Sequence, residues 1–142
     1  MIFQNAKNKS TPKLSEQFLV DCSNGYIFEG LGAYGCSGAW PSTLLAYLIE
    51  NYEGKVFLED YYPYTAETGD CKQPINGIYE NGRVIDYISK MPSNEYELMK
   101  LLVNYGPVAT SIDATGYYSY ESGVFDDNEK CCNTVTDGPN CG

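Results

Sequence analysis

A mixed α and β fold is predicted by the spacing of apolar residues and the placement of cysteines. Leu44, Leu45, Leu48 and Ile49 recur at helical spacing, as do Leu98, Leu101 and Leu102. Residues 83–88 alternate weakly, and residues 108–113 form a strand-like run after a Gly-Pro break. Cys22 and Cys36 stand at the two ends of a loop between helical segments, the pattern of a stapled framework.

Each element follows from local chemistry. Residues 1–13 are polar and carry lysines, and Ile2 and Phe3 suit the tail of a helix. Thr11-Pro12 stops any helix before Ser15. Ser15 caps the next one with its hydroxyl, and Glu16 and Gln17 suit its first turn. Leu14, Phe18 and Leu19 share a face, with Val20 beside them. Residues 23–34 are glycine-bearing and without period, which predicts an irregular surface loop. Pro41 fits the first position of a helix over 41–52, where its missing N–H costs nothing. The leucine stripe of that helix faces a core, and Gly54 ends it. Residues 83–88 are expected as a strand. Asn94 with Glu97 makes a start like a capping box, and Gly106-Pro107 closes that helix. Residues 108–113 are expected as a strand, and 117–125 as an aromatic extended stretch ending in an acidic turn.

Composition narrows the function. A chain of 142 residues with ordinary hydrophobic content buries a core. The 14 tyrosines are expected at half-buried positions rather than as a binding surface. A net charge of −10 argues against nucleic acid and anionic membrane as partners. No apolar run approaches the ~20 residues of a membrane span, and the first residues lack the apolar core of a signal peptide. The 6 cysteines stand beside no histidine, which counts against a mixed-ligand zinc site and against a Cys-His nucleophile, and no cofactor is expected. No Cys-x-x-Cys pair is present. Asn8-Lys9-Ser10 is a glycosylation sequon, meaningful only along the secretory path.

Specific motifs then name a family. Residues 14–22 read Leu-Ser-Glu-Gln-Phe-Leu-Val-Asp-Cys, and residues 35–39 read Gly-Cys-Ser-Gly-Ala. Tyr62-Pro63-Tyr64, Cys71, Gly106-Pro107-Val108 and Tyr120-Glu-Ser-Gly-Val-Phe125 follow in order. In these motifs and their order the chain resembles the papain-like cysteine peptidases, with Ala39 in place of the second glycine of the family's Gly-Cys-x-Gly-Gly. The resemblance implies an α+β papain-like fold, incomplete, with a partial helical domain over 1–80 and part of the antiparallel β-barrel over 81–142. It also implies a lysosomal, vacuolar or extracellular location, for which the chain carries no signal of its own.

Chemistry follows from the same resemblance. A papain-like site pairs a thiolate with an imidazole that lowers the thiol pKa and later protonates the leaving amine. The family's nucleophile segment is expected before Met1, and Cys141 aligns with the family's histidine. A thiol has no second nitrogen to be oriented and no cationic form, so it does not replace imidazole there. Substrate binding is implied at Gly38, Ala39, Trp40 and Pro41, with Ser111 and Ala114, beside Ala109, on the barrel side. In the family the residue matching Ala39 pairs its backbone with an extended peptide, as an added strand does. Trp40 either walls the pocket or simply packs on its helix.

The family's pairing predicts a disulfide between Cys22 and Cys71, with Cys36 unpaired. Cys131 or Cys132 pairs in the family with a cysteine further on, or here captures Cys141; the alternative is that all the cysteines are reduced. The expected function is a truncated or degenerate papain-like peptidase, inactive by itself. The alternatives are an interaction subunit of a larger assembly and a fragment of an active endopeptidase. Unpaired strand edges predict self-association or a protein partner that covers them.

Overall fold

The computed structural model describes residues 12–73, 76–111, 117 and 120–123. Ser15 opens the first helix as expected: its Oγ accepts the Phe18 N–H at 3.0 Å and caps α1, Glu16–Cys22. The elements that follow are β1 (Ile27–Phe28), β2 (Leu31–Gly32), a 3-10 turn (Gly35–Ser37), α2 (Pro41–Tyr52), β3 (Lys55–Phe57), β4 (Ile78–Arg83) and α3 (Glu95–Tyr105). β1 pairs antiparallel with β2, and β3 with β4. None of these helices is long and apolar enough to cross a membrane.

Phe18 is the hub of the core. Its ring centroid lies 4.1 Å from Phe57, and Tyr52 and Tyr62 meet it edge-on at 5.0 and 5.7 Å. Tyr47, Leu48, Val56 and Val84 complete the buried cluster, and Leu14 and Leu19 pack against it. Two of the many tyrosines, Tyr47 and Tyr62, are therefore core residues, while Tyr34, Tyr61 and Tyr64 are exposed.

Several expectations shift. The buried face of α2 comprises Thr43, Ala46, Tyr47 and Leu48, while Leu44, Leu45 and Ile49 are only partly covered. The reason is that α2 packs against both β1 and β3, and the Thr43 hydroxyl donates to the Leu31 carbonyl at 3.2 Å. The loop over 23–34 is not irregular throughout, because it contains the β1–β2 hairpin. Glu29 (φ 50°) and Gly30 (φ 80°) both turn left-handed, which gives that hairpin a tight two-residue connection.

The strand expected at 83–88 does not form: β4 runs earlier, over Ile78–Arg83, and shares only Arg83 with it, while residues 84–88 are in no strand. The partner strand β3 fixes β4, and β3 itself follows directly on α2. Gly54 makes that junction possible. Glu53, left-handed at φ 55°, caps the helix, and Gly54 follows at φ +74°, where a Cβ would sit 1.7 Å from the Val84 carbonyl oxygen. α3 begins and ends as expected, with Asn94 Oδ1 accepting the Glu97 N–H at 3.0 Å and Gly106 at the C-cap. Glu97 turns to Lys100 at 3.0 Å rather than back to Asn94, so the capping box is half formed.

Compactness divides the chain into two units, Met1–Pro107 and Val108–Gly142. Within the second, residues 108–111 are not in a strand, since among the described residues none lies beside them as a pairing partner. Of 117–125, the described residues form a turn, with the Tyr120 N–H donating to the Tyr117 carbonyl at 3.1 Å.

Candidate functional site

The site is built outward from two buried polar residues on α1. Gln17 is 1% exposed and Asp21 is 9% exposed. They stand one helical turn apart, and the Gln17 amide donates to Asp21 Oδ1 at 2.7 Å. The same amide donates to the Glu67 carbonyl at 2.7 Å, and Gln17 Oε1 accepts the Thr65 N–H at 3.0 Å. Asp21 accepts the Gly69 N–H at 2.8 Å and the Tyr62 hydroxyl at 2.8 Å. Tyr62 in turn accepts the Lys72 N–H at 3.2 Å, and its carbonyl accepts the Ser15 hydroxyl at 2.6 Å. The irregular segment after Tyr62 thus has its backbone groups satisfied by side chains rather than by a ladder.

This arrangement sets the charge state of Asp21. Burial alone would push its carboxyl up. The Gly69 N–H, the Tyr62 hydroxyl, the Gln17 amide and the charge of Lys72 outweigh burial and hold it below its ordinary value. Burial, together with the bond to Asp21, pushes the Tyr62 phenol up, against the opposing Lys72 N–H. The carboxylate is therefore a fixed acceptor at neutral pH.

A disulfide ties the far end of the same segment to α1. Cys22 and Cys71 are bonded, with Cα atoms 4.5 Å apart, as the family's pattern predicted. Cys36 is free and exposed among the described residues, also as expected.

The pinned segment reaches the 3-10 turn through Thr68, whose Oγ1 accepts the Cys36 N–H at 2.8 Å. The turn then brings residue 39 back against residue 33, and the two form an isolated antiparallel bridge. The bond recorded there runs from the Tyr34 N–H to the Gly38 carbonyl at 2.9 Å, one position to the side of the bridging pair. Ala39 therefore occupies a non-hydrogen-bonded position, with its own N–H and C=O turned away from Ala33. Ala33 confirms the register: its N–H donates to the Tyr26 carbonyl at 2.9 Å, and its carbonyl accepts the Gly25 N–H at 2.8 Å, on its opposite side. Ala39 is the outer edge of this small stack of extended segments. Gly38 beside it has φ +104°, and a Cβ there would meet nothing within 4 Å.

Trp40 follows at the N-cap of α2 and is 53% exposed. Pro41 is exposed at the first helical position. These residues and Gly38 form one continuous rim. Ala109 and Ser111 are exposed in the second unit, where the Thr110 hydroxyl donates to the Ser111 carbonyl at 3.2 Å. Ala114, Cys131, Cys132, Cys141 and the sequon at 8–10 lie outside the described residues. Residue-level reading did not find Gln17, Asp21 and Thr68. The signal for the first two was their i, i+4 spacing on an otherwise apolar face.

The papain family cysteine protease model matches residues 1–138, and the chain belongs to that family. Zingipain-1 of Zingiber officinale is 36% identical over 116 residues, covering 79% of this chain and 46% of that protein. Digestive cysteine proteinase 3 of Homarus americanus is 33% identical over 133 residues, covering 92% and 38%. The solved structure of digestive procathepsin L 3 of Tenebrio molitor larval midgut superposes with a TM-score of 0.59 at 29% identity, covering 87% of this chain and 38% of that one. The helices and antiparallel pairs described above are thus part of an α+β papain fold. The chain spans less than half the length of the curated relatives it matches, at 46% and 38% of these two.

Proposed function

We propose that this chain carries one wall of the peptide-binding cleft of a papain-like cysteine peptidase, and that these residues by themselves are catalytically silent. The outward-turned N–H and C=O of Ala39, beside the open face of Gly38 and the exposed Trp40, support the first part. An extended peptide adds to such an edge through main-chain hydrogen bonds, and an aromatic wall beside it selects a side chain. The methyl of Ala39 leaves both backbone groups in place. The second part rests on chemistry: the mechanism needs imidazole beside a thiolate, and the sequence has 0 histidines.

Trp40 is the one tryptophan of the chain, so its fluorescence reports directly on the rim. Titration with an N-acetylated, C-amidated extended hexapeptide is expected to shift Trp40 emission. By anisotropy of a labelled copy, Trp40→Ala is expected to abolish binding. Equal affinity in the variant would reduce Trp40 to a bystander. Fluorogenic dipeptide amides are expected to stay intact, and an epoxide that alkylates papain-like thiolates is expected to leave the chain's mass unchanged. Stoichiometric labelling of one cysteine would refute catalytic silence.

One observation favours a second reading, an interaction subunit. α3 has no buried residue, and Val103 on it is 84% exposed. A protein partner or a second copy covering that helix is the expected occupant, and a monomer by sedimentation at all concentrations would count against self-association.

A further inference from the structure

We propose that Thr68 is the positioning residue of the peptide-binding edge, an inference that rests on the cleft reading above. Thr68 makes no contact with a bound peptide in this scheme; it acts through the turn that carries Gly38 and Ala39.

Thr68 is held from both sides. The Glu67 carbonyl accepts the Gln17 amide at 2.7 Å, and the Gly69 N–H donates to Asp21 at 2.8 Å. Both anchors come from buried side chains of α1, so the backbone on either side of Thr68 is fixed to the helix. Its side chain is then the hydrogen-bonding link from that fixed segment to the 3-10 turn, through the Cys36 N–H at 2.8 Å. The 3-10 turn of Gly35–Ser37 packs on α1 and closes through its own backbone, with the Ser37 N–H donating to the Tyr34 carbonyl at 3.0 Å, but its N-cap Tyr34 makes no side-chain cap bond, so Thr68 supplies the side-chain bond that the turn receives.

The fit at Gly35 shows how closely the hydroxyl is seated. Gly35 has φ +55°, and a Cβ built there would lie 2.3 Å from Thr68 Oγ1. Any larger residue at 35 would displace the hydroxyl from Cys36. The turn continues through the bond from the Gly38 N–H to the Gly35 carbonyl at 3.1 Å and that from the Tyr34 N–H to the Gly38 carbonyl at 2.9 Å. A rotation at Cys36 is therefore passed to residue 38 and to the direction of the Ala39 N–H and C=O. Edge pairing depends on that direction, since a hydrogen bond weakens steeply as its angle closes.

The test compares Thr68→Val, which keeps the shape and removes the hydroxyl, with Thr68→Ser, which keeps the hydroxyl. Affinity for the labelled hexapeptide is read by anisotropy, and exchange of the Cys36 amide is read by NMR. Thr68→Val is expected to bind about fivefold to tenfold more weakly, the scale of one net hydrogen bond, and to exchange the Cys36 amide faster. Thr68→Ser is expected to restore both. Thr68→Ala serves as a second hydroxyl-free variant should Thr68→Val misfold. Wild-type affinity and exchange in the hydroxyl-free variants overturn the proposal, as does a Thr68→Ser that fails to restore them. Failure of the unmodified chain to bind the hexapeptide overturns the cleft reading instead, and the exchange arm then decides Thr68's hold on the turn.

Discussion

Replacing Asp21 with alanine removes one acceptor from three donors: the Gln17 amide at 2.7 Å, the Gly69 N–H at 2.8 Å and the Tyr62 hydroxyl at 2.8 Å. The losses are unequal. Gln17 keeps the Glu67 carbonyl, and the Tyr62 oxygen keeps the Lys72 N–H. The Gly69 N–H is left with no replacement among these groups, but Gly69 is exposed and water reaches it, so its loss costs about 1 kcal/mol. The two other bonds to a charged acceptor add to this, each within the range of ~1.5–3 kcal/mol. Relief from burying a carboxylate offsets much of that sum. A net destabilisation of about 3 kcal/mol results, which for a chain of 142 residues lowers Tm by roughly 10 °C. Asp21→Asn keeps one carbonyl oxygen and is expected to lose about half as much. Guanidinium unfolding followed by circular dichroism, with the disulfide intact, measures both. A midpoint for Asp21→Ala corresponding to less than ~0.5 kcal/mol, the range of an ordinary surface substitution, would refute the clamp.

The same carboxylate fixes a pH dependence. Its native pKa lies below the ordinary 3.8, so its contribution is complete above 3.8 and is lost as pH falls through the lower native value. The stability gap between the unmodified chain and Asp21→Ala is expected to be constant near neutral pH and to narrow only below 3.8, as read from unfolding curves across an acid series. The disulfide is a separate restraint. Cys22 and Cys71 are 49 residues apart, and replacing both with serine is expected to cost about 4 kcal/mol, measured against the oxidised chain by the same unfolding curves.

Local signals read correctly where a single residue decides the geometry. Ser15 and Asn94 start helices because their side chains cap them, and Gly106 ends one because it turns left-handed. The disulfide was legible only through the family resemblance, since spacing alone leaves the pairing open. Two of the failures were decided by partners distant in sequence, one by an uncommon turn pair. β4 lies earlier than its alternation implied because its register is set by β3, with Phe57 opposite Ile78. The buried face of α2 was misplaced because two strands, β1 and β3, cover it. The β1–β2 turn was missed because Glu29-Gly30 is not among the usual hairpin pairs, although Glu29 does adopt the left-handed conformation. Gly38, Ala39, Trp40 and Pro41 were legible as a motif, but the outward direction of the Ala39 backbone was not. That direction depends on the pairing of Ala33 with segments on both sides.

The position of buried polar groups on α1 has a physical reason. Residues 63–72 form no helix or strand, so their N–H and C=O groups have no ladder partners. An apolar α1 face would have left the groups that face the helix to water alone, since residues 63–72 are exposed. Gln17 supplies both a donor and an acceptor, Asp21 supplies two acceptors, and Tyr62 supplies one of each. Together they meet the opposed demands of the Thr65, Gly69 and Lys72 N–H groups and the Glu67 carbonyl. A loop satisfied in this way has one conformation rather than many, because each alternative forfeits several bonds at once. Only a segment so fixed holds Thr68 still enough to orient a short turn. The same logic explains why the Leu-Ser-Glu-Gln-Phe-Leu-Val-Asp-Cys run carries polar residues in so apolar a helix. Ser15, Gln17, Asp21 and Cys22 each reach the 62–71 segment, and Phe18 between them reaches the core.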